Sequence, residues 1–475
     1  MKRIHLIILS LVTLIFASCE KYTDLTPKGS MIVETAAQFH EMVSLPNRGY
    51  TINNFQYLSD DQWMRESFVI GQTPNINIVN FTFNETADRV SMINSSNFYT
   101  QSYSYINRWN TIISLVDESK GDVNTKQLAK AEAKILRAHD HFLLVNHYAK
   151  AYDPQTASTD GGICIMDKFD LEAQPTKSTV AQVYDFIQKD IEDALPYLQE
   201  KPLDVYHPSL AFAYALKAKV HLYKREIAEA KAAAEKSLSY NSQIFDLVQY
   251  AAEGGPTVKP ITAGNNPEVL SYVYMTGYNE LNFAQSYIIS PELRNLYGAN
   301  DARFNLFFNS TSTTNLDAGS NTAYWGTQFS RFFNVTVGMK TTEVHLMLAE
   351  CYARENQFAQ AVDILNKLRA KRILAGGTVN LAVPTTRKET MELVVNERRK
   401  ELILGFNRFF DLKRLNNEPE FAKTIVRQFP IVNKTVPQQT YTLKPDSRLY
   451  IIPFPLSVMR MNPLLTLNTD EKIPF

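Results

Sequence analysis

The chain has 475 residues, with 49 Lys and Arg against 49 Asp and Glu and a formal net charge of zero at pH 7. Binding to phosphate backbones needs a basic excess, so this balance argues against nucleic acid as the main partner. The length suits two or three domains or one large helical body, and the composition is that of an ordinary globular protein with a sizeable core.

The first residues, MKRIHLIILSLVTLIFASC, place Lys2 and Arg3 before a mostly apolar stretch from Ile4 to Phe16, then Ala17-Ser18 before Cys19. This pattern predicts a signal peptide over residues 1–18. The stretch is too short to span a bilayer, which takes about 20 apolar residues. Small-small-Cys predicts cleavage ahead of Cys19 and lipid on its sulfur, although Phe16 stands where that pattern usually has Leu. An ordinary secretory signal with an incidental cysteine is the alternative. At about 0.8 kcal/mol per buried methylene, one acyl chain holds marginally and two hold stably. Residues 19–30 are polar, carry Pro27 and Gly29, and read as a flexible leader.

Residues 46–105 lack helical periodicity and include SDDQWMRES, read as a polar loop carrying an aromatic. Trp109, in SYINRWNTII, reads as core. Leu128, Ala131, Ile135, Ala138, Phe142 and Val145 recur at steps of three and four, which predicts a helix over 125–148. Residues 152–177 break the pattern with Pro154, Gly161, Gly162 and Pro175 and read as a loop. Ser178 is the expected cap of a second helix with Val183, Ile187 and Ile191 on its apolar face. Residues 207–240 and 341–372 each read as a helix pair, and in each an alanine precedes another by twelve (Ala218 and Ala230, Ala349 and Ala361). Small residues there let two helices approach closely, as in tetratricopeptide repeats; two unrelated hairpins would give the same periodicity. Residues 241–335 are rich in Asn, Thr, Ser, Gly and Tyr, with runs such as VLSYVYM that suit strands. Irregular stretches this long commonly carry function. Residues 387–415 continue as helix. The expected organisation is therefore 1–18 signal peptide, 19–30 leader, 31–240 an N-terminal region with helix pairs, 241–335 a loop-rich ligand-binding region, and 336–475 a C-terminal region. Cys351, in the apolar helical pattern LMLAECYA, reads as a buried thiol, a Cys164–Cys351 bridge is the alternative, and the fold is not built on disulfides.

Catalytic motifs are mostly absent: there is no Gly-x-Ser-x-Gly elbow, Walker loop, dinucleotide fingerprint or His-Glu-x-x-His. His139, His141 and His147 are spaced by two and six, which scatters them around a helix, so satisfied histidines are expected instead of a metal site. Asp60 and Asp61 are adjacent, and neighbouring carboxyls on an extended chain point apart, unlike a glycosidase pair. Basic residues from Arg398 to Arg414 interleave with acids at spacings that allow local pairs, such as Arg408–Asp411 and Asp411–Arg414.

The segment NERRKELILGFNRFFDLKRL, through Glu397-Arg398, Glu401-Leu402 and Arg408 to Arg414, resembles the signature of SusD/RagB outer-membrane nutrient-binding lipoproteins. Gly405-Phe406 stands where the family usually has Glu-Gly. Four further blocks agree in order. AEAKILRAHDHFLLV is similar through Glu132, Ala133, Leu136, Arg137 and Ala138, and Asp301-x-Arg303 is similar to the mid-chain Asp-x-Arg. EVHLMLAE is similar through Glu343, Leu346, Met347, Ala349 and Glu350. LYIIPFPLSVMRMNP is similar to the terminal block, with Ile451 in place of its first Pro.

The resemblance implies a mainly α fold: a tetratricopeptide-like scaffold with long loop-rich insertions and a few short strands. It further implies a lipid-anchored protein on the cell surface at the outer membrane, acting as a lid on a SusC-like TonB-dependent transporter. Such a protein captures a glycan or other oligomeric nutrient without a cofactor, metal or catalysis. A peptide ligand of the RagB type is the alternative, and a surface glycoside hydrolase a further one. The family motifs are scaffold, so ligand residues must come from chemistry. Sugar rings stack on Trp and Tyr, and their hydroxyls bond to Asp, Asn and Arg. The candidates are Trp63 with Asp61 and Arg65, Trp325 with Tyr324, and Tyr278.

Overall fold

In the computed structural model, residues 33–474 are described except 52–53, 171–173, 277–287, 310–316, 320, 326–336 and 404. The predicted signal peptide, Cys19 and the leader lie outside these residues. No described helix is long and apolar enough to cross a membrane.

Helices of eight residues or more form the frame: α1 (Ala36–Val43), α2 (Asn97–Leu115), α3 (Val123–Tyr148), α4 (Val180–Ala194), α5 (Leu210–Lys224), α6 (Ile227–Tyr240), α7 (Thr341–Arg354), α8 (Phe358–Ala370), α9 (Arg387–Glu401) and α10 (Asn407–Asn416). Their starts follow local chemistry. Asp122 Oδ accepts from Thr125 N and sets the start of α3. α4 begins on Thr179, whose hydroxyl accepts from Gln182 N while Gln182 bonds back in a capping box. The cap is thus one residue later than the expected Ser178, whose own N–H is taken by Ile163 O at 2.9 Å.

Packing runs from α2 onto α3, α3 onto α4, α5 onto α6, α6 onto α7, and α7 onto both α8 and α9. The hairpins α5–α6 and α7–α8 turn alike. Arg225 and Asn356 take left-handed backbone at φ 65° and 60°, and Glu226 N and Gln357 N close each turn onto His221 O and Tyr352 O. Ala218, Ala230, Ala349 and Ala361 are all buried at the helix contacts, so the twelve-residue spacing does let the helices close up. Ser237 Oγ adds a hydrogen bond to Ala211 O across α5–α6 at 2.7 Å. Trp109 is in the core, as expected, with Nε1 donating to the buried carboxylate of Asp140 at 2.8 Å. Cys164 and Cys351 are buried free thiols.

The predicted helix over 387–415 is instead two helices. α9 ends at Glu401, and Gly405 takes left-handed backbone at φ 64° before α10 starts. The break lets α9 and α10 pack as separate rods. The irregular region also ends earlier than expected, because α2 starts at Asn97 with Ser96 as its cap.

The strands are short: β1 (Gly49–Thr51), β2 (Gln62–Trp63), β3 (Val269–Ser271), β4 (Tyr274–Thr276), β5 (Ile288–Ile289), β6 (Phe308–Asn309), β7 (Ala323–Trp325), β8 (Met339–Lys340), β9 (Ile425–Phe429) and β10 (Gln439–Leu443). VLSYVYM supplies β3 and β4. β1 pairs in parallel with β4, whereas β3 with β8 and β9 with β10 are antiparallel. The four-stranded sheet has the order β2-β5-β7-β6, all antiparallel. Strands from 46–105 therefore pair with strands from 241–335.

Candidate functional site

The sheet β2-β5-β7-β6 joins two of the sequence candidate groups, Asp61–Arg65 at β2 and Tyr324-Trp325 in β7. Trp325 lies opposite Phe308, and Tyr324 opposite Ile288 and Asn309. For Tyr324 and Trp325 only the backbone belongs to the described structure; Tyr278 lies outside the described residues.

Asp61 and Trp63 have a packing role, not the ligand-facing one expected. Asp61 is buried and accepts from Arg399 Nε at 2.8 Å. Its neighbour Asp60 is buried too, held by Arg408 Nε at 2.7 Å and Lys423 Nζ at 2.6 Å. Burial opposes ionisation of Asp60, but Arg399, Arg408 and Lys423 outweigh it and keep its carboxyl well below the usual range. Trp63 is 6 % exposed. Its ring meets Phe81 edge-on with centroids 5.6 Å apart and carries the Arg427 guanidinium 5.6 Å over it. That cation covers a ring the sequence suggested for a sugar.

These pairs also correct the local reading of the C-terminal motif. Asp411 does pair with Arg414 (2.8 Å), but Arg408 pairs with Asp60 and Asp411 takes Arg398 (3.0 Å) as its second partner. Further buried ion pairs involve other residues of the motifs. Arg414 Nη1 donates to Glu350 at 2.6 Å, Arg303 joins Asp301 (2.7 Å) and Glu397 (2.8 Å), and Arg372 joins Glu401 at 2.8 Å. Three of the five motif blocks thus contribute to buried ion pairs. A cavity of about 520 Å³ is lined by Arg399, Arg408, Lys423 and Glu292 among others; Asp60 and Asp61 do not line it.

Arg65 is the candidate that stays near solvent. Its side chain is 19 % exposed, and Nε donates to Asp317 Oδ1 at 3.1 Å. Its guanidinium sits 4.9 Å over the ring of Phe68, which is 48 % exposed. Asp317 is held in turn by Ser67 N on Oδ2 (2.9 Å), with Glu66 N on its carbonyl (3.0 Å). Below this rim Glu66, nearly fully buried, accepts the backbone N–H groups of Ile431, Val432 and Asn433. The rim so placed offers an exposed aromatic ring, a guanidinium and a carboxylate side by side. Phe68, Asp317 and Glu66 were missed from sequence. Phe68 carries a faint signal, three residues after Arg65; Asp317 is distant in sequence and carries none.

The three helix histidines are buried; His139 Nδ1 has no hydrogen-bond partner among the described residues, whereas His141 is satisfied. In His141, Nδ1 donates to Arg137 O at 2.9 Å, and Nε2 accepts from Met166 N at 3.3 Å. Burial pushes this imidazole down to about 3.

Scaffold and rim define a helical-repeat protein whose irregular segments build a small four-stranded sheet. Comparison with known proteins gives this class its family. Residues 30–222 match the SusD-like family model described as starch-binding associating with outer membrane, and residues 277–470 match that of the SusD family. The chain belongs to the SusD/RagB family. It is similar to "SusD-like protein P2" of Formosa agariphila, with 24% identity over 390 residues, covering 71% of this chain and 74% of that protein. A crystal structure of a SusD superfamily protein from Bacteroides thetaiotaomicron matches at TM-score 0.70 and 18% identity, over 92% of this chain and 100% of the other. A laminarin-binding SusD-like protein matches at TM-score 0.57 and 18% identity, over 80% and 92%. The mainly α, tetratricopeptide-like fold read from the sequence is the fold of these structures.

Proposed function

We propose that this protein binds a glycan at the outer face of the outer membrane and delivers it to a SusC-like TonB-dependent transporter. The observation that carries the binding half is the rim of Arg65, Phe68 and Asp317 beside the four-stranded sheet. A partly exposed ring suits the apolar face of a sugar, and the flanking charged groups suit its hydroxyls. Family membership supports a carbohydrate ligand, and the laminarin-binding relative makes a β-glucan a sensible first probe. The delivery half rests on the family resemblance and on the lipoprotein signal ending at Cys19. Lipid on Cys19 holds the body at the membrane, while residues 19–30 give it room to swing over a transporter. The protein binds without turnover: Asp60 and Asp61 are tied to arginines and lysine instead of facing an open cleft.

The test is electrophoresis of the purified protein through gels containing laminarin or starch, with product analysis of each polysaccharide afterwards. Retardation in at least one gel, without released sugar, is expected. Released oligosaccharide would replace this reading with a hydrolase, and binding confined to peptides would replace the glycan.

A further inference from the structure

Three side chains from separate elements meet away from the sheet rim: His40 in the last turn of α1, Glu132 in α3, and His207 in the loop before α5. Each can present one nitrogen or oxygen within 4.8 Å of the other two. Glu132 and His207 are each 3 % exposed. His40 Nε2 lies 3.0 Å from Glu132 Oε2, and its side chain is 19 % exposed, so the cluster is reached from solvent on that side. The two imidazole rings stand 4.8 Å apart, centroid to centroid.

The state of His207 is fixed by its neighbour. Asp204 Oδ1 accepts from Tyr206 N at 2.7 Å and His207 N at 3.1 Å, and it lies 2.9 Å from His207 Nδ1. An ionised carboxylate only accepts, so in the neutral ring the hydrogen is assigned to Nδ1 and the lone pair to Nε2. That Nε2 is buried and has no hydrogen-bond partner among the described residues. A buried acceptor without a donor needs an explanation. A carboxylate on the far nitrogen is the arrangement that orients metal-binding histidines and raises their basicity.

We propose that His40, Glu132 and His207 bind a divalent transition ion of the zinc class, with Asp204 orienting His207. Two imidazoles and one carboxylate form a three-ligand set that zinc accepts with water in the fourth place. A tetrahedral ion with bonds of about 2.0–2.1 Å holds its ligand atoms roughly 3.3 Å apart. The His40–Glu132 pair, at 3.0 Å, is close to that spacing, and His207 has to close in from within 4.8 Å. A single carboxylate with two imidazoles does not suit calcium or magnesium, which take oxygen ligands. The ion fastens α1, the first described helix, onto α3 and the 204–207 turn.

The test uses the purified full-length protein, stripped with a chelator and then titrated with zinc chloride, with cobalt(II) as a spectroscopic probe. Wild type is expected to hold one more zinc per chain than His207→Asn or Glu132→Gln, to melt higher with zinc, and to give the visible absorption of four-coordinate cobalt. His40→Gln, at a partly exposed helix end, keeps the fold, so its affinity should fall at least tenfold at unchanged metal-free melting. If His40→Gln binds zinc as wild type does, or wild type binds none, the cluster is an ion pair of a protonated His40 with Glu132 and the proposal is wrong.

Discussion

Arg399 and Arg65 each pair with a carboxylate from a distant part of the chain, yet their surroundings differ. The Arg399 side chain is 4 % exposed and pairs with Asp61 and Glu292, among neighbours that are also paired. The Arg65 side chain is 19 % exposed, pairs with Asp317, and lies over a ring that faces water. The first arrangement commits the guanidinium to carboxylates. The second leaves an aromatic surface and polar groups at its edge. Arg399 lies within the motif by which the family is recognised, and Arg65 lies within none. Charge in the motif is therefore spent on joining the scaffold to the loops, and the proposed recognition rim lies outside every motif.

The comparison can be broken first on its buried side. Arg372 is fully buried between Glu268 and Glu401. Arg372→Met leaves two buried carboxylates short of a cation and should cost about 3–5 kcal/mol of stability, measured by urea unfolding. Trp63→Ala should cost a similar ~3–5 kcal/mol by emptying the contact with Phe81 and Phe429. A stable Trp63→Ala protein that has lost only ligand would move Trp63 to the recognition side.

Acid should separate two sets of buried groups. Burial pushes His141 down to about 3, against an ordinary value of 6.5. The unfolded chain thus takes up the proton first, and stability falls as pH drops from about 6.5 toward 3. Glu397 is opposed by burial, but Arg303, Lys400 and Arg369 hold it down at about 2, against 4.5. Its contribution is complete above pH 4.5 and is lost as pH falls toward 2. Melting temperature against pH should therefore decline in two stages, and His141→Gln should soften the upper one. The smallest effect is expected at the exposed pair Lys367–Asp363, where Lys367→Ala should change stability by no more than about 0.5 kcal/mol.

Much of the scaffold was legible because helix periodicity and the alanine spacing are local. The helix over 125–148 and both hairpins are where the pattern puts them. The break after Glu401 was hidden because its cause is one glycine in left-handed backbone, and the basic run on either side reads as continuous helix. The ion pairs were half legible: Asp411–Arg414 is a neighbour within one helix, whereas Asp60–Arg408 spans most of the chain. Asp61 and Trp63 were misassigned for the same reason. A charged, aromatic, Gly-poor loop looks exposed until the arginines that bury it arrive from α9, α10 and β9. Sequence singled out Arg65, and only the folded chain brings the distant Asp317 to it.

We propose that recognition sits on the Arg65–Phe68–Asp317 rim and not among the buried ion pairs of the family motif. The most direct measurement is the affinity of Arg65→Ala/Phe68→Ala, beside wild type, for the polysaccharide that retards wild type. Affinity should fall by about tenfold or more, equivalent to ~1.4 kcal/mol, with melting unchanged. Unchanged affinity in a folded double variant would contradict the assignment and move the ligand off this rim.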